Sequence, residues 1–148
     1  MHATGDRKRR PSPSFVHRTL NALRGLFSGH STDRVAPSDP SKPHERARAL
    51  LVEDDFVNRE IAKAMLESRE FAVDVVTDGA AAIDAAAAHA YGIIFMDAHL
   101  PTVDGFAAAV AIRQQEQERA TPRVPIVLMT ADSHETVAAS IRSASIDD

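Results

Sequence analysis

The chain of 148 residues contains no cysteine, which excludes disulfides and thiolate metal sites and leaves the redox compartment undetermined. No uninterrupted apolar stretch approaches the ~18–20 residues of a membrane-spanning helix, so no transmembrane segment is expected. The basic run Arg7-Lys8-Arg9-Arg10 leads into Pro11 instead of an apolar core, so a secretory leader is not expected either. Cytoplasm is the default location. Lysine also runs out early, with none after Lys63. The later elements therefore have no ammonium group to offer.

What is present divides into two parts. Apolar residues make up 44% and charged residues 26%, the balance of a soluble globular protein, and the length suits one domain plus a tail. Residues 1–49 hold 10 Lys/Arg against 4 Asp/Glu, a net of +6, whereas residues 50–148 hold 7 against 17, a net of −10. Five of the eight prolines (11, 13, 37, 40 and 43) also fall in the first part. Residues 1–47 thus read as a basic, Pro-containing, mostly disordered tail and linker, and 48–148 as the folded domain.

Within the tail, Val16, Leu20, Leu23 and Phe27 recur at i, i+4, i+7 and i+11. This spacing predicts a short basic amphipathic helix inside residues 15–28. Such a helix can be a weak local structure in a linker, a partner-docking element or a membrane-surface segment. Four basic residues at 7–10 without interleaved aromatics are a thin nucleic-acid signal, so no direct DNA binding is expected.

The folded part alternates two periodicities. Ala49–Val52 is a short apolar strand running into Glu53-Asp54-Asp55, and Phe56–Arg69 places Val57, Ile61, Ala64 and Met65 at helical spacing. Phe71–Val76 alternates as a strand, and Ala80–Ala90 is a strong helix former with Ile83 as its large apolar anchor. Tyr91–Met96 is a buried strand, Asp104-Gly105 opens a helix to about Gln117, and Val124–Met129 is another strand. Asp132-Ser-His-Glu135 has capping-box spacing for a helix to about Ser145. The order β-α-β-α-β-α-β-α implies a parallel sheet covered on both faces, with right-handed crossovers.

Two of those strands end in acid. In open parallel sheets, ligands bind beyond the carboxyl ends of the strands where strand order reverses. If the first and third strands are neighbours, Asp54, Asp55 and Asp97 meet at one rim. Two like charges about 4 Å apart repel by roughly 4 kcal/mol at an effective dielectric near 20. Such a rim needs a proton or a cation, and Mg²⁺, a hard ion that takes oxygen ligands, fits.

The segments LLVEDDFVNR, GIIFMDAHLPTVDG and VPIVLMTAD, in that order and separation, resemble the receiver domain of bacterial response regulators over residues 48–148. In style they are closest to the receivers of hybrid histidine kinases. The resemblance implies a three-layer α/β/α flavodoxin-like fold with sheet order 2-1-3-4. It also implies that Asp97 is the phosphoacceptor, charged from a phosphohistidine on a histidine kinase or histidine phosphotransfer protein. Asp55 and Asp97 would hold Mg²⁺ directly, Asp54 largely through water, and the backbone carbonyl of His99 would be a further ligand. Thr130 would donate to a phosphoryl oxygen, and small Ala131 would leave phosphorus accessible. Such a domain is no enzyme beyond its own phosphorylation and dephosphorylation.

The family pattern continues with a fifth strand ending in Lys-Pro and a last helix, which this sequence does not include. Arg142 is not placed to substitute for that lysine. The alternatives are a phosphorylation-impaired pseudo-receiver that only binds partners, or a non-functional fragment. A phosphohydrolase with an Asp nucleophile fits poorly, because the first acid of the acid-x-acid triplet is Glu53.

Overall fold

The computed structural model describes residues 46–129. Their elements follow the alternation of periodicities: β1 (Arg48–Val52), α1 (Phe56–Glu67), β2 (Ala72–Val76), α2 (Gly79–Ala88), β3 (Ile93–Asp97), α3 (Gly105–Arg119) and β4 (Ile126–Met129). The four strands form one sheet in the order β2-β1-β3-β4, all neighbours parallel, the order expected for a receiver. The helix expected over Asp132–Ser145 and the tail helix at 15–28 lie outside the described residues.

Side chains alternate cleanly across the sheet, as a period of two requires. Leu50, Val52, Ile94, Met96, Ile126 and Leu128 face one way and bury against Ala82 of α2 and Ala108, Ala109 and Ile112 of α3. Ala49, Leu51, Ile93, Phe95, Val127 and Met129 face the other way, in one cluster with Ala62 and Leu66 of α1. A sheet buried on both faces gives the near-continuous apolar runs seen in the sequence.

Each helix starts at an aspartate. Asp55, Asp78 and Asp104 accept from the backbone N–H of Asn58, Ala81 and Ala107 at 3.0, 2.8 and 2.8 Å, satisfying a donor that the first turn leaves unpaired. Helix α2 stops at Ala88, two residues before the expected end, with His89 already extended. At the far end of the sheet, Tyr91 Oη donates to Asp74 Oδ2 at 2.9 Å, and Arg48 pairs with the same carboxylate. Buried Arg113 pairs with Glu116 at 2.8 Å, and Glu116 accepts from Val124 N–H at 2.8 Å. These contacts tie α3 to the approach of β4.

The end of α3 carries local strain. Ala120 sits at φ 51°, in the left-handed region, while Thr121 N–H closes on Glu116 O at 3.0 Å. That closure is normally made with glycine. Ala120→Gly is therefore expected to stabilise the protein by about 0.5–1 kcal/mol, the relief of left-handed strain less the added unfolded-state entropy. A rise in the urea midpoint at unchanged m-value checks it.

Candidate acidic site at the strand ends

Register builds the site. Leu51 pairs with Phe95 and Val52 with Met96 across the β1–β3 ladder. Two residues beyond Leu51 stands Glu53, and two beyond Phe95 stands Asp97. Alternation therefore aims both at the same end of the same face. One oxygen each from Glu53, Asp54 and Asp97 lie within 4.8 Å of one another.

The three acids differ in surroundings. Glu53 is fully buried. Its backbone N–H donates to Val76 O at 3.2 Å, and its Oε1 accepts from Asp55 N–H at 3.1 Å. Its Oε2 is buried with no hydrogen-bond partner, an arrangement costing about 1–3 kcal/mol or more unless something compensates. Asp97 is partly buried, and its Oδ1 accepts from His99 N–H at 2.9 Å. Asp54 is exposed.

Burial and crowding shift the titrations. Burial, with the Asp97 charge adding to it, pushes the Glu53 carboxyl up from the usual 4.5 to about 8. Burial first and the Asp54 charge second also raise Asp97, against the His99 N–H bond. The donor set suits a hard divalent cation: three carboxylates, one fully buried with an orphaned oxygen, no sulfur, and too much negative charge to stand alone.

One sequence expectation changes. Asp55 does not join the acidic group: its Oδ1 caps α1 through Asn58 N–H, because it immediately precedes the first helical residue. Glu53 stands in the cluster instead, so the converging acids are 53 and 54 with 97, not 54 and 55 with 97. Asp54 and Asp97 lie where the sequence placed them. His99 is exposed, and its backbone N–H holds the Asp97 carboxylate. Thr130 and Ala131 lie outside the described residues.

The loop after β3 is pinned close to these acids. Gly105 N–H donates to Ala98 O at 3.0 Å, and a Cβ at 105 would lie 2.2 Å from Asp97 O. A Cβ at Gly79 would lie 2.2 Å from Val103 O of the same loop. Thr102 adopts φ 66°, an uncommon state for a β-branched residue. A groove of about 450 Å³ between the C-terminal ends of α2 and α3 borders none of the three acids.

Residues 49–148 match the response regulator receiver domain family, and the chain belongs to it. It is 32% identical over 146 residues to a probable histidine kinase of rice (Oryza sativa subsp. indica), covering 80% of this chain and 15% of that protein. It is 33% identical over 128 residues to the sensor histidine kinase GacS of Pseudomonas protegens, covering 85% and 14%. The chain thus spans about a seventh of the length of these curated relatives.

Among solved structures, the receiver domain of a Pseudomonas aeruginosa sensor histidine kinase, crystallised with magnesium in its active-site cleft, is 38% identical with a TM-score of 0.63. The match covers 70% of this chain and 83% of that one. The receiver domain of yeast Ssk1, crystallised with the histidine phosphotransfer protein Ypd1, shares the fold at 24% identity and a TM-score of 0.66, covering 72% and 79%. No helix among the described residues is long and apolar enough to cross a membrane.

Two outcomes follow from the geometry. Gly105→Ala drives a methyl into the backbone of Asp97, so a loss of roughly 1–3 kcal/mol or more is expected by denaturant melt. Glu53 is protonated when folded and ionised when unfolded between pH 4.5 and about 8. Unfolding then releases a proton, so metal-free stability falls as pH rises through that window, by at most about 1.4 kcal/mol per pH unit. Raised Asp97 acts in the same direction. Glu53→Gln is expected to flatten the decline and to melt above the parent at pH 8. A steeper decline in the variant would count against this assignment.

Proposed function

We propose that this receiver domain accepts a phosphoryl group on Asp97 from a phosphohistidine, with Mg²⁺, and relays that state through protein contacts. The observation that carries the reading is the convergence of Glu53, Asp54 and Asp97 within 4.8 Å around a buried oxygen without a partner. Asp54 and Asp97, with the His99 backbone carbonyl, would hold Mg²⁺, and buried Glu53 would add charge behind them. The ion would offset the negative charge of the carboxylates and of the arriving phosphoryl oxygens.

The chain's own residues supply positioning. The His99 N–H fixes Oδ1 of Asp97 and so orients the carboxylate toward the open rim. An oxygen of that carboxylate forms the new bond to phosphorus as the P–N bond of the phosphohistidine breaks, and the departing imidazole takes up a proton. Thr130 would donate to a phosphoryl oxygen, and Ala131 would leave the approach clear. A histidine kinase or a histidine phosphotransfer protein is the donor this chemistry calls for. Ssk1 in its complex with Ypd1 is an instance of such pairing. The proposed setting is the cytoplasm, with no DNA contact and no external substrate turned over.

A second reading is a binding module that is not phosphorylated. Incubation with acetyl phosphate and Mg²⁺ followed by intact mass separates the two. One phosphate adduct that Asp97→Asn abolishes is the expected result. A cooperatively folded sample with no adduct would favour the binding module.

A further inference from the structure

The α1 face of the sheet is wider than α1. A helix with its side chains is about 10–12 Å across, whereas four strands about 4.8 Å apart span some 14 Å between their axes, plus side chains at either edge. Helix α1 packs chiefly on β2 and β1, at one side of the order β2-β1-β3-β4. The opposite face has two helices, α2 and α3, packed against each other. On the α1 side, β3 and β4 present Ile93, Phe95, Val127 and Met129, which are nonetheless only 7%, 0%, 3% and 4% exposed. A second apolar element is required there.

We infer that residues 15–28 of this chain dock across β3 and β4 beside α1, with Val16, Leu20, Leu23 and Phe27 on Ile93, Phe95, Val127 and Met129. Three features favour this occupant. The stripe from 16 to 27 is about 17 Å long as a helix, a match to strands of five and four residues at about 3.3 Å each. Residues 29–47 can extend to about 60 Å, so the tail reaches the face from Arg48 without strain. Charge agrees as well: residues 1–49 carry a net +6 and residues 50–148 a net −10. His17, Arg18 and Arg24 lie off the apolar stripe, and α1 exposes Glu60 and Glu67. The docked tail covers the strand that ends in Asp97, and its apolar stripe is then withheld from membranes and from other proteins.

The lack of cysteine makes the test clean. A nitroxide on Arg24→Cys of the full chain is expected to erase the amide signals of Ile93, Phe95, Val127 and Met129 and to spare Ala108 and Ile112 on the other face. Adding Leu20→Glu and Leu23→Glu to that variant is expected to restore the signals and lower the melting temperature. Signals untouched by the label would overturn the inference. So would broadening that also appears in unlabelled isotope-enriched chains mixed with labelled ones, because a second copy would then be the occupant. Broadening that persists in the double glutamate variant would overturn it as well.

Discussion

Everything at the acidic rim depends on one register. Because Leu51 lies across from Phe95 in a parallel ladder, the next outward residues on that face, Glu53 and Asp97, are forced together whatever their charge. The apolar runs that precede them are buried on both faces, and slipping the ladder by one residue would turn every core side chain to the wrong face. The core therefore holds the carboxylates against their own repulsion. That is how a strand made to be buried comes to end on a charge.

The same register explains what could and could not be read from sequence. The element order through β4 was legible because hydrophobic period and turn residues agreed at each step, whereas the sheet order came from the resemblance to receiver domains and not from periodicity. The identity of the acid pair was not. Asp54-Asp55 looks like the natural pair when acids are matched by type, but geometry selects by position. Counting two from Leu51 reaches Glu53, whereas Asp55 stands immediately before Phe56, three residues short of the Asn58 amide it caps. Both clues were present in the residues. Matching the two adjacent aspartates to the acid pair that the resemblance implies passed over the alternation that places Glu53 on the face of Asp97. Helix ends were less legible, since Ala120 closes α3 in a conformation that composition assigns to glycine.

The loop between β3 and α3 shows a second kind of illegibility. Asp104-Gly105 reads as an ordinary helix start, and Asp104 is one. Gly105 does more. No positive φ demands glycine there, but the backbone of Asp97 passes so close that a side chain cannot fit. Close approach leaves no mark in local propensity, because the other partner is eight residues away. Gly79 meets Val103 in the same way, so α2, the loop and β3 are locked at points where only hydrogen atoms separate them. A carboxylate on such a rigid mount keeps its direction, which matters when catalysis rests on positioning.

Rigidity and electrostatic discomfort then act together. Were the rim flexible, Glu53 and Asp97 could separate and rotate toward water, and neither carboxyl would be shifted. Held in place, with Glu53 pushed up to about 8 and Asp97 raised, the folded chain retains protons that the unfolded chain would release. Any cation that replaces those protons binds the folded state and not the unfolded one, and so stabilises it by mass action. A phosphoryl group on Asp97 would restore negative charge at the same rim and make the cation harder to lose. Occupancy of the site and stability of the β1–β3 register are thus linked quantities. The proposed transfer to Asp97 would then be felt first by the β1–β3 ladder that holds the carboxylates.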